Sequence, residues 1–407
     1  MANQITNLQS AEAALKELYT PTRIQYMTYY DNPFFALLPK TSNFGGKYKP
    51  IPIVIGGTQG RSSNFQKAQT NQTAPDERAF WLKRVKDYGI ATIDNETMLA
   101  SETDQMAFIQ QAKLNVDMTL QGLINSAASA LFRNGNGSIG KISDVTTGVI
   151  TLSNVDDVVQ FEVNMTLQAA ATDGGTPRAA LGYVIAVDRS AGTVTVSASF
   201  GGAAGTPTSW ANDDFLLVDG DSKAKIVGLD GWIPESAPTS GDSFFNVDRS
   251  VDPTRLAGVR YDGTSQSIEE ALRSCSSVLG REGGRPNYVV MNHASYNALI
   301  LSLGSKVQFV DLQGPAGVGF KAVEIIGDKG TMRVLPDRNC LPKTAFMLTM
   351  DTWKLEALGD VPMILKYKDG NEMLRVTNDD AAELRCGYYA QLSCNAPGWN
   401  ARAALAV

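Results

Sequence analysis

His293 is the only histidine in the 407 residues, so a Ser-His or Cys-His arrangement has one candidate base and a multi-histidine metal site has no ligands. A lone histidine ahead of an apolar run reads better as a helix-start residue than as a base. Asp379, Asp380 and Glu383 carry the oxygen ligands that a hard cation takes. A solvated turn, or a patch that meets a basic segment of another molecule, accounts for the same cluster. The run from Gly280 to Pro286 has the glycine density of a phosphate loop. It lacks the closing Gly-Lys-Ser/Thr and follows a helix instead of a strand, so it reads as a plain loop. Cys275, Cys340, Cys386 and Cys394 show no CxxC spacing and read as free thiols. No catalytic residue, cofactor or metal site is expected from these groups.

The elements that would position any site point instead to architecture. Hydrophobic residues make up 43% and charged residues 19%, with a net charge of -6, an ordinary globular balance with no basic excess for polyanion binding. No stretch approaches the roughly 18 apolar residues of a membrane span, and the start has no secretory pattern. Residues 1–45 read as an arm. Ser10 caps a short helix at 11–18, and an aromatic stretch broken by Pro33 and Pro39 needs a surface to pack on.

Residues 46–94 read as a long hairpin. Ile51, Ile53 and Ile55 alternate on the way out, 56–75 is polar and turn-forming, and 79–93 returns with Trp81, Val85, Tyr88 and Ile90. Such a hairpin is expected to bury little within its own chain, and exposed strand edges invite pairing with another molecule. Lys47, Lys49, Arg61, Lys67, Arg78, Lys83, Arg84 and Lys86 outweigh Asp76, Glu77 and Asp87. A solvated basic face explains this, as does an arm laid across a neighbouring subunit. The candidate contact residues are Lys47, Lys49, Arg61, Lys67, Arg78, Lys83 and Arg84, with Asp379, Asp380 and Glu383 as acidic counterparts.

Residues 101–134 give the clearest helix. Ser101 and Asp104 resemble a capping box, and Ile109, Val116, Leu120, Leu123, Ala127 and Leu131 recur at helical spacing. Arg133 and Gly135 mark its end, and at ~1.5 Å per residue it is about 50 Å long, the length of a structural spine. Residues 136–228 turn rich in Gly, Thr, Ser and Val, with strands expected at 149–152, 158–163, 181–187, 193–199 and 215–218. Acidic residues outnumber basic ones there, so an acidic β-barrel or sandwich is expected.

From 229 onward the pattern is mixed. Helices are expected at 266–279, stopped by Gly280, and from an Asn292 cap to Leu303. Strands are expected at 287–291, 320–326, 332–335 and 345–350. A hairpin pairs 361–367 with 372–376 around a turn at 368–371, and 383–393 is the last extended run.

This order of parts resembles the tailed-bacteriophage major capsid proteins of the Hong Kong-97-type fold, an α+β architecture. The phrases YYDNPFFALLP at 29–39, ETDQMAFIQQAKLNVDMTLQGLINSAASALF at 102–132 and AAELRCGYYAQLSCNAPGWNARAAL at 381–405 carry the likeness across nearly the whole chain. The resemblance implies an arm at 1–45, an extended loop at 46–94 lying on a neighbour and a spine at 95–135. It implies an inserted β-domain at 136–228 and a return to the peripheral domain at 229–259. An axial domain would span 260–360, and 361–407 would supply a hairpin and a C-terminal strand to the peripheral domain.

The implied function is a structural coat protein, without catalysis, that packs into hexamers and pentamers around packaged double-stranded DNA held without sequence specificity. The implied partners are portal protein, decoration protein and, since no long helical leader precedes the arm, a separate scaffolding protein. The implied location is the virion capsid, assembled in the host cytoplasm. Some relatives crosslink a loop lysine; Lys67 sits suitably, but nothing marks its partner. Competing readings are a cellular nanocompartment shell, a tail or decoration protein, and an enzyme with a carboxylate or serine site.

Overall fold

The spine helix runs Gln105–Ala130 in the computed structural model, which describes residue 24 and residues 32–94, 105–304, 309–313, 319–366, 373–377 and 379–406. The expected helix at 11–18, the cap at 101–104 and the turn at 368–371 lie outside the described residues. Val116, Leu120, Leu123 and Ala127 form the buried stripe of the spine, and Leu131 extends it beyond the helix. At ~1.5 Å per residue its 26 residues span about 39 Å. Gly135, at φ +87, turns the chain away where a Cβ would meet Val227 at 2.7 Å.

Beside the spine lies a sheet built on one long strand, Ala381–Cys394. Its residue Ala390 pairs with Ala357 of Trp353–Ala357 on one edge and with Val85 of Val85–Asp94 on the other. The spine packs tightly on the sheet at Gly89, where a Cβ would meet Thr119 at 2.7 Å. The hairpin expected between 361–367 and 372–376 is not formed. Met363–Ile364 and Met373–Arg375 each pair with the long strand instead. Most of its residues are buried, which makes it the better partner.

The excursion at 46–94 also departs from expectation. Tyr48–Gly56 pairs with Asp76–Lys83, but the return is two strands: beyond Arg84, Val85–Asp94 leaves the hairpin for the long strand. The base of the hairpin is buried in its own chain. Ile53, Ile55, Phe80 and Leu82 join the main core, where Trp232 packs against Phe80, Phe244, Phe245 and Trp353. Of the apolar residues singled out on the return, Trp81, Tyr88 and Ile90 are exposed, and Val85 is partly buried against the core.

A second core lies in a seven-stranded sheet, ordered Val259–Gly263, Ala401–Leu405, Thr344–Leu348, Tyr288–Met291, Gly330–Pro336, Gly319–Gly327 and Phe309–Gln313. The helix Ile268–Arg281 packs on it, with Ile268, Leu272, Cys275 and Leu279 inward and a Ser267–Glu270 capping box at its start. Gly280, expected to stop this helix, lies inside it; the chain leaves at Gly283, φ +91. Asn292 caps His293–Leu303 through a bond from Ser295 N, and Gly304 ends that helix. The terminal strand Ala401–Leu405 belongs to this sheet and not with the long strand, whereas the C-terminal strand was expected in the peripheral domain and the last extended run at 383–393. Its alanine-rich run has no β-branched residue to announce a strand.

Between the spine and the second sheet, residues 138–218 close a six-stranded barrel. Its order is Phe215–Val218, Ser138–Thr146, Val149–Leu152, Thr193–Ser197, Gly182–Asp188 and Thr166–Ala170. Ile142, Ile150, Leu167, Val184, Val194 and Leu216 fill it around Phe161. Asp214, almost fully buried, accepts two bonds of 2.7 Å from Arg178. The expected strand at 158–163 is instead the 3-10 turn Val155–Gln160, and the strands at 138–146 and 166–170 were not foreseen.

The short helix Pro33–Leu37 is tied to the second sheet through a buried carboxylate. Asp337 accepts from Phe34 N at 3.3 Å and from Asn339 N and Nδ2 at 2.9 and 3.2 Å. Burial raises its carboxyl to about 6. Because the folded value lies above the unfolded one, the native state gains on the unfolded state as pH falls through about 6 and loses that gain as pH rises. The thermal midpoint of the natural chain, measured relative to Asp337→Asn, is therefore expected to rise between pH 7 and pH 5. Parallel curves for the two proteins would sink this assignment.

Candidate functional site

The hairpin is a ribbon with two apolar faces. Ile53, Ile55, Phe80 and Leu82 cover the core, and Tyr48, Pro50, Pro52, Val54 and Trp81 are exposed on the other side. A two-stranded ribbon needs only one covered face to be held, so the second is surplus to its own fold. The tip is folded as well. Asn64 Oδ1 accepts from Gln66 N and Lys67 N at 2.9 and 3.3 Å, starting the helix Phe65–Thr70. Thr73 N donates to Gln59 O at 3.1 Å and closes the loop. Sequence reasoning saw only a polar turn there; Asn64 was the available signal, an N-cap residue ahead of a run of helix formers. Phe65 is 75% exposed.

The candidate contact residues divide into two groups. Lys49 donates to Glu356 at 2.5 Å, and Glu356 is 3% exposed. Arg84 donates to Phe44 O and stacks over the Phe44 ring at 5.0 Å. These two hold the hairpin to its own chain. Lys47, Arg61, Lys67 and Lys83 point outward, and Arg78 makes an exposed 3.3 Å pair with Asp76. Asp379 and Asp380 are exposed just before the long strand, and Glu383 within it accepts from Arg385 Nε at 2.6 Å. The structure thus brings Lys49 and Arg84 onto the body, leaves the other hairpin cations in solvent, and keeps the acidic cluster on a separate element.

His293 is the first, exposed residue of its helix. The four cysteines are buried, and burial pushes the thiols of Cys275, Cys386 and Cys394 up to about 12, far from reactive thiolates. Among the described residues, no group of three or more His, Cys, Asp or Glu is placed to hold a metal, and no helix is long and apolar enough to cross a membrane.

A buried polar joint was invisible from sequence. Lys225 Nζ lies 2.5 Å from Asp87 Oδ2 and 3.0 Å from Asp221 Oδ2. Asp87 Oδ2 also accepts from Ser126 Oγ at 2.6 Å and from Tyr388 OH at 3.3 Å. The joint therefore fastens the barrel exit to the spine, the long strand and the foot of the hairpin. Burial raises the Asp221 carboxyl even with Lys225 beside it, and burial beside Asp87 pushes the Tyr388 phenol well up. The 3-10 turn Val155–Gln160 docks the barrel's other end. Asp157 pairs with Arg133 at 2.6 Å, Asp156 accepts from Asn292 at 2.9 Å, and Gln160 donates to Asn339 at 3.1 Å. These attachments leave a cleft of about 820 Å³ between spine and barrel, lined by Met118, Val159, Val163 and Met165.

No family model and no curated protein matches this sequence. Solved structures do. A chain from the cyanophage A-1(L) capsid aligns over 93% of this chain and 94% of its own, at 8% identity and a TM-score of 0.53. This chain has the fold of a phage capsid protein. The Hong Kong-97-type resemblance drawn from the order of parts therefore holds for the fold. A capsid chain of the native GTA particle covers 91% of this chain and 89% of its own, at 8% identity and a TM-score of 0.47. A chain of the holo-SrpI encapsulin complex from Synechococcus elongatus covers 97% and 94%, at 8% identity and 0.42.

Proposed function

We propose that this chain is a shell subunit, and specifically the major capsid protein of a tailed phage, which works by packing against copies of itself without catalysis. The observation that carries this reading is the ribbon, whose second apolar face and outward cations have no use in the isolated chain. Residues 46–84 act as the arm laid on a neighbour, with Val85–Asp94 returned to the body, 95–135 act as the spine and 136–228 as an inserted domain. Residues 229–258 belong to the peripheral region, and 259–348 together with Ala401–Leu405 to the axial region, with Trp353–Ala357 back in the peripheral sheet. Hexamers and pentamers form with a separate scaffolding protein, a portal and a decoration protein. DNA lies against the inner face without sequence readout.

Co-expression with adjacent genes, followed by sedimentation and electron microscopy, tests the reading. Regular particles filled with double-stranded DNA support it. Particles filled with a protein cargo would make the chain a nanocompartment shell, and a slow monomer peak would remove the shell reading altogether.

Charge reversal then tests the arm. Arg84 is engaged with Phe44, so reversing it would damage the fold itself. Lys67→Glu, Arg78→Glu and Lys83→Glu together are expected to lower particle yield at least about ten-fold through like-charge contacts, with the circular dichroism of the monomer unchanged. Normal shells from the triple variant would defeat the arm assignment.

A further inference from the structure

We propose that the cavity between the foot of the hairpin and the exit of the barrel binds an oligophosphate anion. The site lies within a single copy of the chain and does not depend on assembly.

The cavity, of about 950 Å³, is lined by five cations: Lys83, Arg84, Lys86, Lys223 and Lys225. Two of them are already committed. Arg84 donates to Phe44 O and stacks over the Phe44 ring, and Lys225 pairs with Asp87 and Asp221. Lys83, Lys86 and Lys223 are exposed, and none of the three forms a salt bridge among the described residues. Lys86 has only the Tyr88 ring, at 5.7 Å. Of the three carboxylates lining the cavity, Asp87 and Asp221 are taken by Lys225, which leaves Asp219. Three uncommitted ammonium groups are therefore set against one carboxylate, in a chain whose net charge is -6. Like charges around one cavity repel one another, and an anion among them turns that repulsion into attraction.

The side-chain types select among anions. A carboxylate is best met by the planar fork of a guanidinium, and Arg84, the one guanidinium lining the cavity, is engaged with Phe44. Ammonium groups act as point charges and suit phosphate, whose charge is spread over several oxygens. Three of them suit a chain of linked phosphates better than a single one, and the volume is that of an ordinary small-molecule site. Tyr88, 49% exposed, and Tyr389 also line the cavity, edge to face at 6.0 Å. They supply an aromatic surface that would stack a base where the phosphates belong to a nucleotide. Lys83 and Lys86 stand at the hairpin foot and Lys223 at the barrel exit, so an occupant held by all three ties together the two parts that the Lys225 joint already fastens.

Calorimetric titration of the full chain with sodium tripolyphosphate at low ionic strength tests the site, with sodium sulfate at matched ionic strength as the reference anion. Saturable binding of one tripolyphosphate per chain is expected, together with a higher thermal midpoint, because a ligand that binds only the folded chain stabilises it. Lys86→Gln with Lys223→Gln is expected to weaken binding at least about ten-fold and to abolish the thermal gain, with circular dichroism unchanged. Arg61→Gln with Lys67→Gln, at the hairpin tip, is expected to leave both unchanged. Absence of saturable heat, or equal heat from sulfate, would overturn the proposal. Equal weakening by the two pairs of substitutions would overturn it as well, since it would mean diffuse attraction to the basic excursion. ATP then identifies the source of the phosphates. Tighter binding of ATP than of tripolyphosphate, with the gain lost in Tyr88→Leu, assigns the site to a nucleotide, and equal or weaker binding of ATP assigns it to bare oligophosphate.

Discussion

Lys225→Met is expected to destabilise the chain by about 3–5 kcal/mol at neutral pH, the usual cost of removing one partner from a buried charge cluster. Methionine keeps most of the volume and removes the ammonium that lies 2.5 Å from Asp87 and 3.0 Å from Asp221. Lys225 is 11% exposed, so water replaces little of what is lost. The pH dependence separates this cause from a packing defect. Burial already raises the Asp221 carboxyl above its ordinary range, and loss of Lys225 removes an attraction that opposes the rise. A carboxyl whose folded value exceeds its unfolded one favours the native state increasingly as pH falls. The deficit of the variant should therefore shrink between pH 7 and pH 5 in urea titrations. An equal deficit at both values would show that charge is not the reason, and a deficit below about 1 kcal/mol would show that the joint is not structural.

Trp232→Ala should cost a similar amount, about 3–5 kcal/mol, for a different reason. The Trp232 ring meets Phe80 at 5.1 Å, Phe244 at 5.0 Å, Phe245 at 5.6 Å and Trp353 at 6.2 Å, and its Nε1 donates to Leu392 O at 3.3 Å. Alanine leaves a cavity beneath the base of the hairpin and an unpaired carbonyl in the long strand. The loss has a location, because Phe80 is what pins the ribbon. Amide exchange is expected to quicken in Tyr48–Gly56 and Asp76–Lys83 well before the barrel is affected. The barrel has its own core around Phe161. Uniform acceleration in all three regions would show that the hairpin is not anchored at this point. Trp232→Phe, which retains ring contacts and loses the donor, should cost less than alanine.

Both experiments probe features that lie at different depths in the sequence. The spine, the helix with Leu272 and Cys275 inward, the Asn292 cap, and the strands Val149–Leu152 and Phe215–Val218 were legible. Each is written in a few consecutive residues, as a period of 3.6 or 2, a cap or a glycine. Composition also carried across: a basic excursion and an acidic β-rich segment stand where the hairpin and the barrel are found.

The candidate surface was legible only in its charges. Lys47, Arg61, Lys67 and Lys83 were identifiable as a cationic set, but nothing nearby in sequence says that Lys49 belongs to Glu356 or Arg84 to Phe44. Which apolar residues of the return strands face the core was not legible, because the alternation is interrupted at Arg84, where one chain segment changes partners. The valine-rich stretch at 158–163 has strand composition, yet Val155–Gln160 is held as a turn by partners such as Asn292 and Asn339, more than 100 residues away.

The sequence by itself determined the local elements, their order and the segregation of charge, because those depend on residues within a turn or a strand of one another. Tertiary structure alone decided which strand Val85–Asp94 and Ala401–Leu405 would join. It alone assembled Asp87, Ser126, Asp221, Lys225 and Tyr388 into one joint, and left a cleft beside an uncovered ribbon. Pairing and burial are settled by whichever distant surface excludes the most water and satisfies the most polar groups, and no short window of sequence contains that surface.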